Sequence, residues 1–154
     1  MAYASLVGKN SRVSLGTIAA NSVLGMGTWS IGGGSVATLD DTEFGDEHQD
    51  LVLGLFTGGT VSFSGLHKID DVSGIDLLIK GYHLRSAFSD IRFWCASGGS
   101  YYRPNSSTAA GGGLPANTPL SKIYITSEPQ IGMDRSGLAS ISFSGIVVGA
   151  MRLE

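Results

Sequence analysis

Several short stretches of this chain alternate between apolar and polar residues with a period of two, the pattern of strands buried on one face. In residues 60–66, Val61 and Phe63 alternate with Ser62 and Ser64. Similar alternation, or enrichment in β-branched and aromatic residues, predicts further strands. The predicted strands are residues 23–31, 60–66, 90–97, 122–127 and 138–150. We therefore expect a mainly β protein whose sheets each turn one face to a core.

One segment has helical spacing instead. Its apolar residues recur every three or four positions, and they are Val72, Ile75, Leu78, Ile79 and Tyr82. Asp70 and Asp71 precede them, and aspartate is favoured at the N-cap and in the first turn of a helix. The sequence therefore predicts a helix from these aspartates to about Ser86. Its apolar stripe is expected to lie against a sheet.

Two of the predicted strands contain the same six-residue pattern. Residues 61–66 read VSFSGL and residues 141–146 read ISFSGI. Each segment can present its phenylalanine inward, its serines outward and its glycine where the strand bends or bulges. Convergence on ordinary strand chemistry and an internal duplication both explain the match, and six residues do not decide between them.

A segment rich in glycine and acidic residues separates the first two predicted strands. The triple glycine at residues 32–34 interrupts regular structure. Six of the thirteen acidic residues follow, and they are Asp40, Asp41, Glu43, Asp46, Glu47 and Asp50. Because like charges this close repel one another, we expect a solvated, mobile arm over residues 32–50, or one that meets a basic partner. A short apolar segment and a turn at residues 57–59 follow the arm.

A second irregular segment is expected at residues 98–119, which are rich in Gly, Ser, Pro and Asn. Loops of this length in a compact domain are usually functional or disordered until a partner orders them. Tyr101 and Tyr102, followed by Arg103, offer rings that stack on sugars or bases. The same tyrosines also suit the simpler role of anchoring the loop by packing.

Composition restricts the class of protein. The 154 residues are expected to form a single domain, 1–154, with one core. A net charge of −3 argues against a basic groove for nucleic-acid phosphates. The single cysteine, Cys95, is expected to be a small buried hydrophobe in a protein made in reducing cytoplasm. The N-terminal residues lack the apolar core of a signal peptide, and no apolar run is long enough for a membrane span, which predicts a soluble protein.

The sequence lacks the common motifs of catalysis and of cofactor binding. It has no Gly-x-Ser-x-Gly elbow, P-loop, His-Glu-x-x-His or paired-cysteine site. Gly25-x-Gly27 lacks the third glycine of a dinucleotide fingerprint. Asp46-Glu47-His48 with Asp50 has metal-ligand types without the spacing of a calcium loop, so a solvated charge run is the simpler interpretation. We expect a protein that is not an enzyme, with no catalytic, cofactor-binding or metal-binding residues.

The order of these features resembles the major tail tube proteins of long, non-contractile-tailed bacteriophages, the siphophage type. The resemblance rests on four segments: GTWSI at 27–31, DTEFGD at 41–46, GLFTGGTVS at 54–62 and the Asp-capped helix. It extends from about residue 23 to the C-terminus, without a counterpart for the 98–119 loop. The resemblance implies a β-sandwich or barrel-like fold flanked by a helix. It also implies that sheet edges join six copies into a ring, and that rings stack into a tube for genome delivery to the host.

Partners and a location follow from the same resemblance. The chain would be a structural protein of the virion tail, made in the host cytoplasm, and would meet tape-measure, tail-terminator and baseplate-type proteins. DNA would pass through the tube without specific binding, because an acidic wall lacks the cations that hold phosphates. Stacking requires arms, so we expect the acids of the 32–50 arm to meet basic residues of a neighbouring copy. The candidates are Arg12, Lys68, Arg92 and Lys122.

Other β-rich binding proteins remain as alternatives. A capsid decoration protein would assemble on shells and would not form tubes. A carbohydrate-binding module would use Tyr101 and Tyr102 and would act as a monomer.

Overall fold

The computed structural model describes residues 11–16, 26–67, 74–95, 99–135 and 137–154. Within these residues the chain forms twelve strands and one helix. The strands are β1 (Arg12–Leu15), β2 (Met26–Gly32), β3 (Ser35–Asp40), β4 (Leu51–Thr57), β5 (Thr60–Leu66), β6 (Ala87–Phe88), β7 (Ile91–Trp94), β8 (Tyr101–Pro104), β9 (Lys122–Ile125), β10 (Gln130–Gly132), β11 (Ser140–Val148) and β12 (Met151–Leu153), and the helix is α1 (Ile75–Leu84). The predicted mainly β fold with one helix is confirmed.

Two antiparallel sheets enclose the core. One has four strands in the order β1-β7-β8-β12, and the other has the order β2-β5-β11-β9-β6, with β10 also paired to β11. Phe63 of the larger sheet meets Phe93 of the smaller one at 5.7 Å between ring centroids. Trp29 lies at the same distance from Phe93. Because aromatic side chains from both sheets interlock in this way, the fold is a β-sandwich, as predicted.

The two segments with the repeated pattern are neighbouring strands of the larger sheet. β5 and β11 run antiparallel with Phe63 opposite Phe143, Ser62 opposite Ser144, and Ser64 opposite Ser142. The two phenylalanine rings stack at 5.3 Å in the core. A local two-fold axis therefore relates the two copies of the pattern. Their phenylalanines point inward and their serines outward, as the alternation predicts.

The predicted strand over residues 138–150 is longer than the strand that forms. β11 ends at Val148, and the chain turns at Gly149, whose φ of +101° suits glycine. A side chain there would also overlap the Ser121 hydroxyl. The chain then enters the other sheet as β12. Of the other predicted strands, 60–66 forms with its predicted bounds and 122–127 forms as far as Ile125.

Helix α1 is shorter than the predicted one. Its N-cap residue is Gly74, without a side-chain hydrogen bond, so the predicted capping by Asp70 and Asp71 is wrong. Those two aspartates lie outside the described residues. The helix ends before Arg85, whose left-handed conformation places its N–H on the Tyr82 carbonyl. Ile75 and Leu78 are buried in the core, which confirms that the apolar stripe faces the sheets.

The prediction of an irregular loop over 98–119 is wrong at its start. Residues 101–104 form β8, an inner strand of the smaller sheet, although Gly and Ser-rich residues surround it. The chain from Asn105 onward is irregular but anchored. Asn105 is fully buried, and its Nδ2 donates to the carbonyls of Thr118 at 3.0 Å and Pro119 at 2.9 Å. These bonds hold the two ends of the loop together.

Candidate assembly surface

A two-stranded hairpin extends from the sandwich as a sheet of its own. Strands β3 and β4 pair with each other, with Leu39 opposite Val52 and Asp40 opposite Leu51. The predicted mobile arm over residues 32–50 is therefore a β-strand in residues 35–40, and its partner is the apolar segment that follows the acids. Pairing satisfies the backbone groups along both strands, which a solvated arm would leave to water.

Apolar side chains lie exposed on both faces of this hairpin. Leu39 and Val52 are opposite each other on one face, so the adjacent pairs place Leu51 and Leu53 on the other face. Leu55 is 85% exposed and Phe56 is 82% exposed. A solvent-exposed ribbon of this composition is marginal by itself, and a cluster of exposed apolar side chains marks a surface that another molecule covers.

Glycines fix the base of the hairpin against the larger sheet. The turn at Gly58-Gly59 continues into β5, and the Gly59 carbonyl accepts a hydrogen bond of 2.8 Å from the N–H of Val147. A Cβ at Gly58 would overlap the carbonyl oxygen of Val147, and one at Gly59 would overlap that of Gly32. Only glycine fits at these close approaches. The hairpin thus starts from a fixed position beside β2 and β5.

The acidic turn, residues 41–50, closes the far end of the hairpin and is exposed throughout. Asp40 Oδ1 accepts hydrogen bonds from the hydroxyl and the backbone N–H of Thr42, and these bonds lower the pKa of Asp40. Asp46 Oδ2 accepts from the Glu43 N–H at 2.8 Å. Two of the six predicted contact acids therefore also shape their own turn, a role that the sequence analysis did not foresee.

The four predicted basic partners fall in different environments. Arg12 and Lys122 are exposed, and each cation lies over a ring of its own chain: Arg12 over Trp94 at 4.6 Å and Lys122 over Tyr124 at 5.4 Å. Arg92 is enclosed. Its side chain is 7% exposed and its Nε lies 2.9 Å from Asp90 Oδ1, so it is not available to a neighbouring copy. Lys68 lies outside the described residues.

Sequence reasoning missed an arginine cluster on the outer face of the smaller sheet. Arg103 Nη2 lies 3.1 Å from Asp90 Oδ1, and Arg152 Nε lies 3.6 Å from Glu154 Oε1. Arg152 also donates to the Ala109 carbonyl at 3.1 Å, which ties the irregular loop to this face. The sequence signal for this cluster was the alternation of apolar and polar residues within β8 and β12. These strands are too short for a period of two to be recognised.

The tyrosines of β8 serve the packing role. Tyr101 contacts Trp94 at 4.5 Å between ring centroids, and the guanidinium of Arg92 covers it at the same distance. Tyr102 packs edge-on against Trp29. Neither arrangement leaves an open aromatic platform for a sugar, so the structure gives no support to the carbohydrate-binding alternative.

Sites for chemistry are scarce in the part of the chain that the structure describes. No group of three His, Cys, Asp or Glu side chains there is placed to hold a metal ion. Burial raises the pKa of the Cys95 thiol, which keeps it protonated and unreactive. An open depression of about 280 Å³ on the larger sheet is lined mainly by Ser and Thr and contains no histidine. No described helix has the length and apolar character needed to cross a membrane.

Known proteins resemble this chain in structure. No family model and no curated protein matches its sequence. A chain in a structure of the virion of a native gene transfer agent (GTA) particle matches with a TM-score of 0.63 and 14% identity, over 97% of this chain and 99% of that one. A chain in the tail of an empty GTA particle, computed with helical refinement and C6 symmetry, matches with a TM-score of 0.64, 15% identity and the same coverage. These matches confirm the fold that the resemblance implied.

Proposed function

We propose that this chain is a structural protein of a phage-like tail, in which six copies form a ring and rings stack into a tube that conducts DNA. The match to a chain of a C6-symmetric tail over nearly the whole of both chains supports this role. The observation that carries it is the hairpin of β3 and β4, whose apolar side chains are exposed on both faces. A surface of this kind requires a partner, and a second copy of the chain supplies one.

Burial of the hairpin's apolar side chains stabilises an assembly enough to offset the free-energy cost of association. Covering an exposed leucine or phenylalanine contributes about 1.5–3 kcal/mol. Association costs about 4–15 kcal/mol in lost translational and rotational freedom. Several hairpin side chains buried together are enough to offset that cost. Repetition of the contact around a ring adds further stabilisation. Apolar burial is therefore the main driving force, and the acidic turn contributes specificity.

The geometry favours a heterologous contact. The hairpin is a projecting ribbon, and a ribbon with two apolar faces fits between surfaces that differ from it in shape. Such head-to-tail contacts close into rings when the rotation allows, or continue as helical arrays. Among the described strands, β2, β6 and β10 stand at the edges of the larger sheet, where neighbouring copies can pair.

Several finer statements belong to the same proposal. The protein acts in the virion tail, is made in the host cytoplasm, has no enzymatic activity and delivers the genome during ejection. Tape-measure, tail-terminator and baseplate-type proteins contact the tube along its bore or at its ends. The described residues support a non-enzymatic role, because their exposed features are suited to assembly and not to catalysis.

A double substitution in the hairpin tests the proposal. Leu55→Ser with Phe56→Ser removes apolar surface that is exposed in the single chain, so the free subunit is expected to fold normally and to lose assembly. Leu84→Ser is the matched control, since Leu84 is 74% exposed at the end of α1. Circular dichroism checks folding, and sedimentation with electron microscopy measures assembly. Assembly of the double variant at the wild-type level would refute the role of the hairpin.

A further inference from the structure

The solvent face of the larger sheet carries two rows of hydroxyl groups. Neighbouring strands align them in register across β2, β5 and β11. The rows are Thr28, Ser64 and Ser142, and Ser30, Ser62 and Ser144. Ser30 and Ser62 are in hydrogen-bond contact through their hydroxyls at 2.6 Å. The side chains between these rows point the other way, into the core.

This hydroxyl face has a distinctive chemistry. Neither row contains a charged or large apolar side chain, and Glu128 lies beside the rows. The same side of the sheet continues beyond the rows into partly exposed Leu66, Ile146 and Val148 and into Lys122 at the start of β9. The opposite side of the sandwich carries Arg103 and Arg152, which are mostly enclosed and paired with Asp90 and Glu154, and it also carries Arg12, which is exposed. The two broad faces of the molecule therefore differ in chemistry, with neutral hydroxyls on one and arginines, largely paired with carboxylates, on the other.

Composition argues that the two hydroxyl rows are not the centre of an interface between copies. The centres of protein interfaces are more apolar than the rest of the surface and are depleted in Ser. The exposed leucines and the phenylalanine of the hairpin fit that composition, and the serine rows do not. The hydroxyl face nevertheless belongs to β2 and β5, the strands from which the hairpin extends, so it lies next to the surface that assembles.

We infer that the hydroxyl face lines the bore of the tube and is the surface that duplex DNA passes, an inference that rests on the proposed function. Arginine and lysine bind phosphates by releasing counterions, and such binding would hold the DNA. Serine and threonine hydroxyls offer neutral hydrogen bonds that replace bonds to water with little net gain. A wall of this kind meets the polyanion without retaining it, and the arginine-bearing sheet faces outward.

Thiol labelling of assembled tubes tests the assignment. In a Cys95→Ala background, Ser62→Cys places a thiol on the hydroxyl face and Lys80→Cys places one on the exposed side of α1, where the Lys80 side chain is 64% exposed. Each variant is labelled as free subunits and as tubes, once with a small maleimide and once with a maleimide coupled to a globular protein too large to enter the bore. Since labelling requires access to the thiol, the protein-coupled reagent is expected to label Ser62→Cys about tenfold or more slowly in tubes than in free subunits. The small reagent should still label it in tubes, and both reagents should label Lys80→Cys.

Two results would overturn the inference. Rapid labelling of Ser62→Cys in tubes by the protein-coupled reagent would place the hydroxyl face outside, and protection from the small reagent would place it in an interface. Ser144→Cys, in the same row, repeats the measurement if Ser62→Cys prevents assembly. Exclusion of both variants from tubes built mainly of wild-type chains would also indicate an interface. Failure of the wild-type protein to form tubes is a separate outcome and would refute the proposed function itself.

A lysine variant provides an independent measurement. Tubes of Ser62→Lys with Ser144→Lys are expected to retain short duplex DNA at low salt and release it as salt rises, whereas wild-type tubes should retain none. Equal retention by both kinds of tube would contradict the assignment.

Discussion

Single glycines decide how the hairpin joins the sandwich. A side chain at Gly58 would overlap the backbone of Val147, whereas one at Gly32 would meet nothing within 4 Å. Gly58→Ala is therefore expected to lower the free energy of unfolding by about 1–3 kcal/mol, as overpacking does, and Gly32→Ala to lower it much less. Thermal unfolding of the two variants measures the difference, and equal midpoints would contradict the close approach.

The carboxyl of Asp40 reports whether the acidic turn is ordered. Its side-chain and backbone hydrogen bonds from Thr42 lower its pKa from the ordinary 3.8. Because the folded pKa lies below the unfolded one, ionised Asp40 stabilises the turn above pH 3.8, and this contribution is lost as the pH falls through the folded pKa. Thr42→Ala is expected to raise the pKa of Asp40 toward 3.8. An NMR titration of the carboxyl carbon measures this, and an unchanged pKa would rule out the hydrogen bonds.

Sequence alone places residues on faces more reliably than it assigns their partners. Phe63 and Ser62 lie inward and outward as alternation requires, because the side-chain period of a strand leaves no other arrangement once one face is buried. The pairing of Arg92 with Asp90 was not predicted. Nothing in the sequence pattern distinguishes two charged residues that form an enclosed ion pair from two that are solvated. The roles of Asp40 and Asp46 depend on the turn geometry, which a run of acids does not reveal.

At the scale of elements, the hairpin is the main structure that the sequence analysis missed. Its second strand, residues 51–57, has consecutive apolar residues without the alternation of a half-buried strand. A strand that is covered on both faces in an assembly carries apolar residues on both faces, so its apolar and polar residues do not alternate. The missing periodicity is thus consistent with the proposed assembly.

Charge reversal in the acidic turn tests the contribution of the acids separately from apolar burial. Asp40→Lys, Asp41→Lys and Glu43→Lys together are expected to block polymerisation, because they replace the charges proposed to meet a neighbour's Arg12 or Lys122. Asp41→Asn with Glu43→Gln, which leaves Asp40 and its turn intact, should weaken assembly less. Sedimentation compares the variants, and wild-type tubes from the reversed variant would show that the acids make no such contact.

At the scale of the whole molecule, the mainly β class follows from the sequence pattern, and the distribution of the molecule's surfaces does not. Alternating strands and one amphipathic helix predict sheets that each turn one face to a core, whereas the sandwich or barrel-like arrangement was implied by the resemblance to tail tube proteins. The hydroxyl rows, the arginine cluster and the apolar hairpin lie on separate sides because of strand order and register, which connect residues far apart in the chain. Local patterns do not encode that order, so the sides of the molecule emerge only from the folded structure.

Electron microscopy of the purified, full-length wild-type protein tests the central claim most directly. Negative-stain images should show hollow tubes, with end-on views of six-fold rings, because the exposed hairpin of each copy is covered by its neighbours. If the protein stays monomeric even at high concentration, or forms closed shells in place of tubes, the proposed tail-tube function is contradicted.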